Sequence, residues 1–428
     1  MNTIFKSGII PFNIYLFDEV INNLSSPGLA AEVDKIWWDT KLIHMAKKKL
    51  YYTQFGDPYP IPPNNGRTVE MRIMRPSAPA LTPLTDGVIP DGELIDVDKI
   101  TATVKQYGTY KKITDMVEWT SCDRLTSAIH EENARQAFLT LDILAREELM
   151  GGTNVYYAPK VSNGTVTEIT SRADLTKECK LTPDLLFTVQ AILRANDAEP
   201  LDGDAYVGII HPQVAVDIKK DKDYFIDVVK YAAGERIFAG EIGKYAGIRF
   251  VESSNAKIFY PNDIVKGKCR FTVKTAANAG ATEITVKEAI SSAEAATFPA
   301  GGVDVYINGV AGKVTGVTAG AAGSAKLTVT ALTANVPADA VVCGQGAGKD
   351  GSAVYGTLIL GRHAYGMIEL ENGGLEFITK SRKEVGGPLE QFSTAGWKAT
   401  AATVRLQEDY MIRIESANEF SASLVSPY

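Results

Sequence analysis

The chain has 428 residues, 45% of them hydrophobic and 22% charged, with a formal net charge of −7. Those proportions suit a soluble chain of two or three domains with substantial cores. They argue against a dedicated nucleic-acid binder, which carries a basic face, and leave room only for weak contact through a local patch. The four cysteines, Cys122, Cys179, Cys269 and Cys343, are far apart and form no CxxC pair. They read as reduced thiols of a cytosolic product, not as a disulfide framework or a zinc set.

The first twenty residues, "MNTIFKSGIIPFNIYLFDEV", lack a basic start and a small-residue cleavage site, so no secretory signal is expected. No run reaches the roughly 18 apolar residues of a membrane span. Residues 1–29 read as an irregular arm. "SSPGLAAEVDKIWWDTKLIHMAKKKL" then predicts a helix capped by Ser25 or Ser26, with Val33, Trp37 and Leu42 on its apolar side. Lys47–Lys49 suit the negative pole of that helix.

From Gly66 to Gly108 the pattern is a ribbon. Val69, Met71 and Ile73 alternate with Glu70 and Arg72. Alternation returns at Ile95 and Val97, then slips to Ile100, Ala102 and Val104. Period two predicts half-buried strands, and the slip predicts a bulge. Between the limbs lie Pro76, Pro79, Pro83 and Pro90. "YKKITDMVEWT" (Tyr110–Thr120) predicts another strand. The strongest helix follows, capped by Asp123 and stopped by Gly151–Gly152, with Leu125, Ile129, Ala134, Phe138, Leu141 and Leu149 recurring at helical spacing. At ~1.5 Å per residue it is a spine of about 40 Å.

"TPDLLFTVQAILRAND" predicts a second helix, with Thr182 as cap and Pro183 at its first position. "AYVGIIHP" reads as a central strand ended by Pro212, and "YAGIRFVESS" as a similar one. Strand, helix, strand predicts a compact α/β unit. From about Gly267 to Gly351 the chain turns rich in Ala, Gly, Thr and Val and poor in charge. Short alternating stretches recur there between Gly and Asn turns, which predicts a small all-β domain inserted into a host. The host resumes at "VYGTLILGRHAYGMIEL". It ends in "AGWKATAATVRLQEDYMIRIES", where Val404, Leu406, Met411, Ile412 and Ile414 suggest paired strands.

The motifs that carry chemistry are missing. "HEEN" at His130 opens like HExxH, but Ala134 stands where the second ligand belongs, so His130 reads as a surface or interface residue. His44, His211 and His363 have no metal-binding spacing either. "GQGAGKDG" (Gly344–Gly351) hints at a phosphate loop, yet Asp350 follows Lys349 where Ser or Thr must hold magnesium. A flexible linker closing the insert is the expectation. "DKDYFID" lacks the glycine and final glutamate of a calcium loop. No GxSxG occurs. An enzyme, a cofactor and a metal are not expected.

The ribbon raises the functional question, because a long two-stranded ribbon is marginal alone in water. Its first limb carries Arg67, Glu70, Arg72 and Arg75; its tip and second limb carry Asp86, Asp91, Glu93, Asp96 and Asp98. Either it folds back on its own domain or it reaches over another subunit that buries its edges. Together with Trp37 and Trp38, residues Arg67, Glu70, Arg72, Arg75, Asp86, Asp91 and Glu93 are the candidates for intersubunit contact.

The stretches "GRTVEMRIMRP", "PLTDGVIPDG", "YGTYKKITD", "GEIGKYAGIRFVES", "LGRHAYGMIEL" and "GWKATAATVRL", in that order, resemble the tailed-phage major capsid proteins of the Hong Kong 97 type, and among them the family typified by phage N-four. The likeness covers roughly residues 30–262 and 352–416; the block at about 267–351 departs from it. The resemblance implies an α+β capsid fold: 1–65 arm and helix, 66–108 extended loop, 109–180 peripheral domain with the spine helix, 181–266 axial domain, 267–351 inserted all-β domain, 352–428 return strands. It implies self-assembly into hexamers and pentamers of an icosahedral virion shell around double-stranded DNA. It further implies portal and separate scaffolding partners, a possible decoration protein, non-specific contact with packaged DNA, and no membrane. No removable N-terminal scaffold segment is expected. An encapsulin-like compartment and a tail or surface-layer component are the rival readings.

Overall fold

The computed structural model describes residues 51–421, apart from 75–76, 78, 84–85, 88, 90–91, 93, 121–124, 163, 221–243, 372 and 386–388. The predicted first helix, Trp37, Trp38, Arg75, Asp91, Glu93, the Asp123 cap and "DKDYFID" therefore lie outside the described residues.

One sheet is built around the predicted central strand. Its order is Val155–Tyr157, Met411–Ser416, Val354–Leu360, Tyr206–Ile210, Ile248–Glu252 and Lys244–Tyr245, with Ile258–Phe259 also pairing with Val354–Leu360. All of Tyr206–Ile210 is buried, and Ile248–Glu252 runs parallel to it. A parallel pair needs a crossover, and helix Pro212–Lys220 lies on the path between them. Helix Pro183–Ala195 packs Leu186, Val189 and Leu193 against Tyr206, Ile248, Ile359 and Ile412. Pro183 stands at its start as predicted, but the Thr182 side chain makes no capping bond. The fixed φ of proline sets this helix start without help from the hydroxyl.

A second sheet takes the order Asp57–Ile61, Tyr365–Leu370, Phe392–Arg405, Glu376–Lys380, and Lys105–Thr114 runs along the other edge of Phe392–Arg405. The spine helix, Leu125–Met150, crosses one face of it. Ala137 packs on Trp397 and Ala399, and Asn133 Nδ2 donates to the Ala395 carbonyl at 3.2 Å. The buried stripe of the helix is Asn133, Ala137, Asp142, Ala145 and Leu149. Phe138, predicted in the core, is exposed, and Ile129, Ala134 and Leu141 are only half-buried. Counting apolar residues misplaces the face because two of its buried positions are polar. Asp142 earns its place by accepting from the Tyr52 amide at 2.8 Å and from Asn255 Nδ2 at 2.7 Å.

Three further expectations change. The predicted strand Tyr110–Thr120 stops at Thr114, and Asp115–Thr120 is helical. Thr114 Oγ1 accepts from the Val117 amide at 3.4 Å, so a local cap ends the strand that the sequence seemed to continue. The ribbon, Thr68–Met74 against Val97–Thr103, has unbroken register from Thr68↔Thr103 to Met74↔Val97. There is no bulge: the slip arises because Asp98, opposite Ile73, occupies an apolar phase. The late strands Phe392–Arg405 and Met411–Ser416 do not pair with each other; the turn Glu408–Tyr410 carries the chain from one sheet to the other.

Residues 270–344 form a separate antiparallel sheet with the order Arg270–Thr272, Val341–Gly344, Val303–Ile307, Val310–Thr318, Lys326–Val329, Glu283–Thr285. Its two outer strands meet. Val273 bridges Val286, the Lys274 amide donates to the Thr285 carbonyl at 2.8 Å, and the Lys287 amide donates to the Thr272 carbonyl at 2.8 Å. The sheet is therefore a closed six-stranded barrel. Phe271, Ile284, Val305, Ile307, Val314, Leu327 and Val342 fill it, together with Ile264 and Val265 from the incoming chain. Helix Ser292–Ala296, with Ser291 and Glu294 in a capping box, is its one departure from all-β structure among the described residues.

Candidate assembly surfaces

The ribbon has two unlike ends. At its base Val69, Met71, Ala102 and Val104 pack against Ile61, Ile368, Leu370, Ala402 and Val404 of the second sheet. At its far end Leu81, Ile89, Leu94 and Ile95 are 86%, 92%, 96% and 75% exposed, and Met74 is also bare. Isolated exposed leucines are ordinary, but a run of them on one projecting loop marks an interaction site. The base thus folds back on its own domain and the tip does not. Sequence reasoning weighted the charges, passed over Leu81, Ile89 and Leu94, which follow no period among the prolines, and placed Ile95 in a half-buried strand that begins only at Val97.

Charges on the ribbon cross its limbs. Glu70 on the first limb meets Lys99 on the second at 3.2 Å and Arg72 at 3.3 Å. Those two cations hold the Glu70 carboxyl below the usual carboxylate range. Pairs this exposed set register more than stability. Arg67 is exposed at the ribbon base, and its carbonyl accepts from the Val104 amide at 2.8 Å. Asp86 is exposed at the tip.

A clasp around the buried Glu415 ties the first sheet to the end of the spine helix. Glu415, fully buried on Met411–Ser416, receives Arg172 at 2.5 and 2.7 Å and Arg413 at 3.0 Å. Arg172 also stacks on Phe259 at 3.6 Å, and Arg413 donates to the Met150 carbonyl at the end of the spine helix. Glu415→Gln leaves two guanidiniums without their anion, and we expect it to lower stability by about 3 kcal/mol, read as a fall in thermal midpoint.

The glycine-rich stretch Gly344–Gly351 is not a flexible linker. The Asn262 amide donates to the Gln345 carbonyl at 2.8 Å, and the Lys349 amide donates to the Ala173 carbonyl at 2.7 Å. Lys349 Nζ meets Asp174 at 2.9 Å. A Cβ on Gly344 would collide with the Asn262 carbonyl, and one on Gly348 with the Leu175 carbonyl. The glycines serve close backbone approach, so the barrel is seated firmly on its host.

Among the described residues no three His, Cys, Asp or Glu side chains gather to hold a metal. His130 is half-buried, with its Nε2 3.5 Å from Thr379 Oγ1. Burial pushes His211 down to about 4, so it is neutral at physiological pH. Cys179, Cys269 and Cys343 are buried free thiols, and burial pushes Cys343 up to about 12. Among the described residues no helix is long and apolar enough to cross a membrane.

Asp217 is the clearest pH-sensitive group. Burial raises its carboxyl to about 6, with Lys180 opposing and Glu419 adding to the shift. Because the folded value is raised, this group's contribution to stability is full below its ordinary 3.8 and is lost as pH rises through about 6. Asp217→Asn is expected to raise stability at pH 7.5 by ~1 kcal/mol, discounted for half exposure, and to change nothing at pH 3.5. Thermal melts at the two pH values check this.

No protein-family model and no curated protein sequence matches the chain. Solved structures do. The capsid of the cyanophage P-SCSP1u is similar with a TM-score of 0.55 and 12% identity, covering 93% of this chain and 97% of that one. The capsid of Ralstonia phage GP4 gives 0.53 and 12%, covering 93% and 98%. The head of Helicobacter pylori bacteriophage KHP40 gives 0.53 and 10%, covering 93% and 99%. The chain has the mixed α+β fold of phage capsid proteins.

Proposed function

We propose that the chain is the major capsid protein of a tailed bacteriophage, closing hexamers and pentamers into an icosahedral head shell around double-stranded DNA. The observation that carries this reading is the likeness of fold over nearly the whole of both chains. The bare apolar ribbon tip supports it, since such a loop is explained when a neighbouring subunit covers it. The role is structural, and the protein resides in the virion capsid.

The arrangement follows the Hong Kong 97 type, within it the N-four family. The ribbon is the extended loop, Leu125–Met150 the spine, the five-stranded sheet the peripheral domain and the seven-stranded sheet the axial domain. The barrel is an inserted domain displayed on the outer face. Scaffolding and portal proteins, and a decoration protein, are the further partners. Obligate contacts of such a shell bury on the order of 2,000–5,000 Å² each, and symmetry repeats them around closed rings.

The test is sedimentation and negative-stain imaging of the overexpressed full-length chain, alone and with its scaffold co-expressed. Closed uniform particles or hexameric rings are expected. A compact monomer under both conditions overturns the reading. Nucleic acid in native particles separates a phage shell from a cargo compartment, and tubes or flat sheets would indicate a tail or surface-layer component.

A further inference from the structure

An asparagine followed by glycine occurs four times in the chain, at Asn65, Asn163, Asn308 and Asn372. Asn163 and Asn372 lie outside the described residues. The other two sit in opposite settings. Asn308 and Gly309 are the two loop residues of the barrel hairpin formed by Val303–Ile307 and Val310–Thr318. Ile307 pairs with Val310 on either side of them, and the Asn308 amide donates to the Val341 carbonyl at 2.8 Å. Both residues have positive φ, 50° and 79°, as the tight turn of such a hairpin requires. The peptide between them is held by three strands.

The peptide from Asn65 to Gly66 has none of this support. Residues 62–66 bridge two fixed points, from which the ribbon springs. At one end the Ile61 carbonyl accepts from the Glu371 amide at 3.0 Å; at the other the Arg67 carbonyl accepts from the Val104 amide at 2.8 Å. Between those ends no residue hydrogen-bonds to another described residue. Asn64, Asn65 and Gly66 are all exposed. Gly66 has a φ of 82°, and a Cβ built on it would meet no atom within 4 Å. Asn64 is at a φ of 66°, so left-handed backbone both precedes and follows Asn65. Open space, an unengaged amide and a glycine free to rotate are what a ring closure at this peptide needs.

We infer that Asn65 is a site of spontaneous covalent modification, deamidation through a cyclic imide, and that Asn308 in the same chain is protected from it. The Gly66 amide nitrogen attacks Cγ of Asn65. A bond from that nitrogen to Cγ forms, the bond from Cγ to the side-chain nitrogen breaks, and ammonia leaves with the proton that the Gly66 amide gives up. Water then opens the resulting succinimide ring. Breaking the new bond to Cγ gives aspartate on an ordinary backbone. Breaking the bond from the Gly66 nitrogen to the main-chain carbonyl carbon of Asn65 gives isoaspartate, whose main chain runs through Cβ and Cγ. Neither route changes an oxidation state. Either product adds a negative charge two residues before Arg67, and isoaspartate lengthens the bridge at the ribbon base by one methylene. At Asn308 the same attack would have to turn a peptide that the pairing of Ile307 with Val310 holds in place. The reaction depends on this turn alone, so it stands or falls apart from the shell reading.

The test incubates the folded full-length chain in mildly alkaline buffer made with heavy-oxygen water and follows the peptides around positions 65 and 308 by mass spectrometry. Position 65 is expected to convert at least tenfold faster than position 308. It should take up one heavy oxygen and give isoaspartate as well as aspartate, told apart by electron-transfer fragmentation. Two variants test the ring. Gly66→Ala sets a methyl group beside the attacking nitrogen, and Asn65→Gln, a change confined to an exposed side chain, enlarges the ring that must close. Each is expected to slow conversion at least tenfold. An unmodified position 65, or one that converts no faster than position 308, overturns the inference. So does conversion to aspartate alone, because direct hydrolysis of the side-chain amide bypasses the ring and yields no isoaspartate. Conversion of Asn65→Gln at the parental rate would sink it as well.

Discussion

Deletion of Pro76–Pro90 should leave a folded, soluble monomer that cannot close shells. The cut begins beyond the ribbon residues that pack at its base, Val69, Met71, Ala102 and Val104, so the monomer core is untouched. It removes Leu81 and Ile89, which touch little in the monomer. Burying each such side chain contributes ~1.5–3 kcal/mol, or about 3–6 kcal/mol for the two at every contact. At about 1.4 kcal/mol per tenfold, each contact weakens by roughly two to four orders of magnitude. Sedimentation velocity should show the deletion variant as a monomer whose thermal midpoint is close to that of the parent. Normal shells from the variant would refute a role for the ribbon tip in contact between subunits.

Excision of the barrel should have the reverse signature: assembly kept, mass reduced. The cut must respect the packing. Ile264 and Val265 belong to the barrel interior, whereas Ala347 is buried with Ala158, Leu175, Cys179 and Val354 of the host. Replacing residues 264–344 by a short Gly-Ser bridge joins positions already adjacent, as the 2.8 Å bond from the Asn262 amide to the Gln345 carbonyl requires. We expect normal particles, imaged by electron microscopy, that lack a protrusion. A wider excision of Gly267–Gly351 strands Ile264 and Val265 in water and removes Ala347, at a cost of about 2–4 kcal/mol. Failure of the narrower excision to fold would show that the barrel is part of the host.

Much of this fold was legible in the sequence where one period dominated. Tyr206–Ile210 read as a central strand because it is apolar without interruption, and the barrel announced itself by its change of composition. The spine helix was legible in extent but not in orientation, since Asn133 and Asp142 occupy buried positions that hydrophobic counting skips. Their partners, the Ala395 carbonyl and Asn255, are more than one hundred residues away in sequence. The short helix after Thr114 was hidden by a locally apolar run, "MVEW". At the candidate surfaces the charges of the ribbon were visible but the exposure of its apolar tip was not, and the Glu70–Lys99 pair across the limbs emerges only when Thr68–Met74 and Val97–Thr103 are laid side by side. Cross-strand neighbours are a property of register, which a single sequence does not display.

If the chain forms the proposed shell, the closure of the barrel bears on how whole particles behave in suspension. An open sheet offers a row of amide and carbonyl groups to any strand that approaches. Repeated over every subunit of a shell, such rows would face identical rows on other shells, and one weak pairing would become a multivalent zipper. The bridge from Val273 to Val286 removes that row. In a shell that displays the barrel outward, as proposed, closed barrels would leave colliding particles no free strand edge through which to pair.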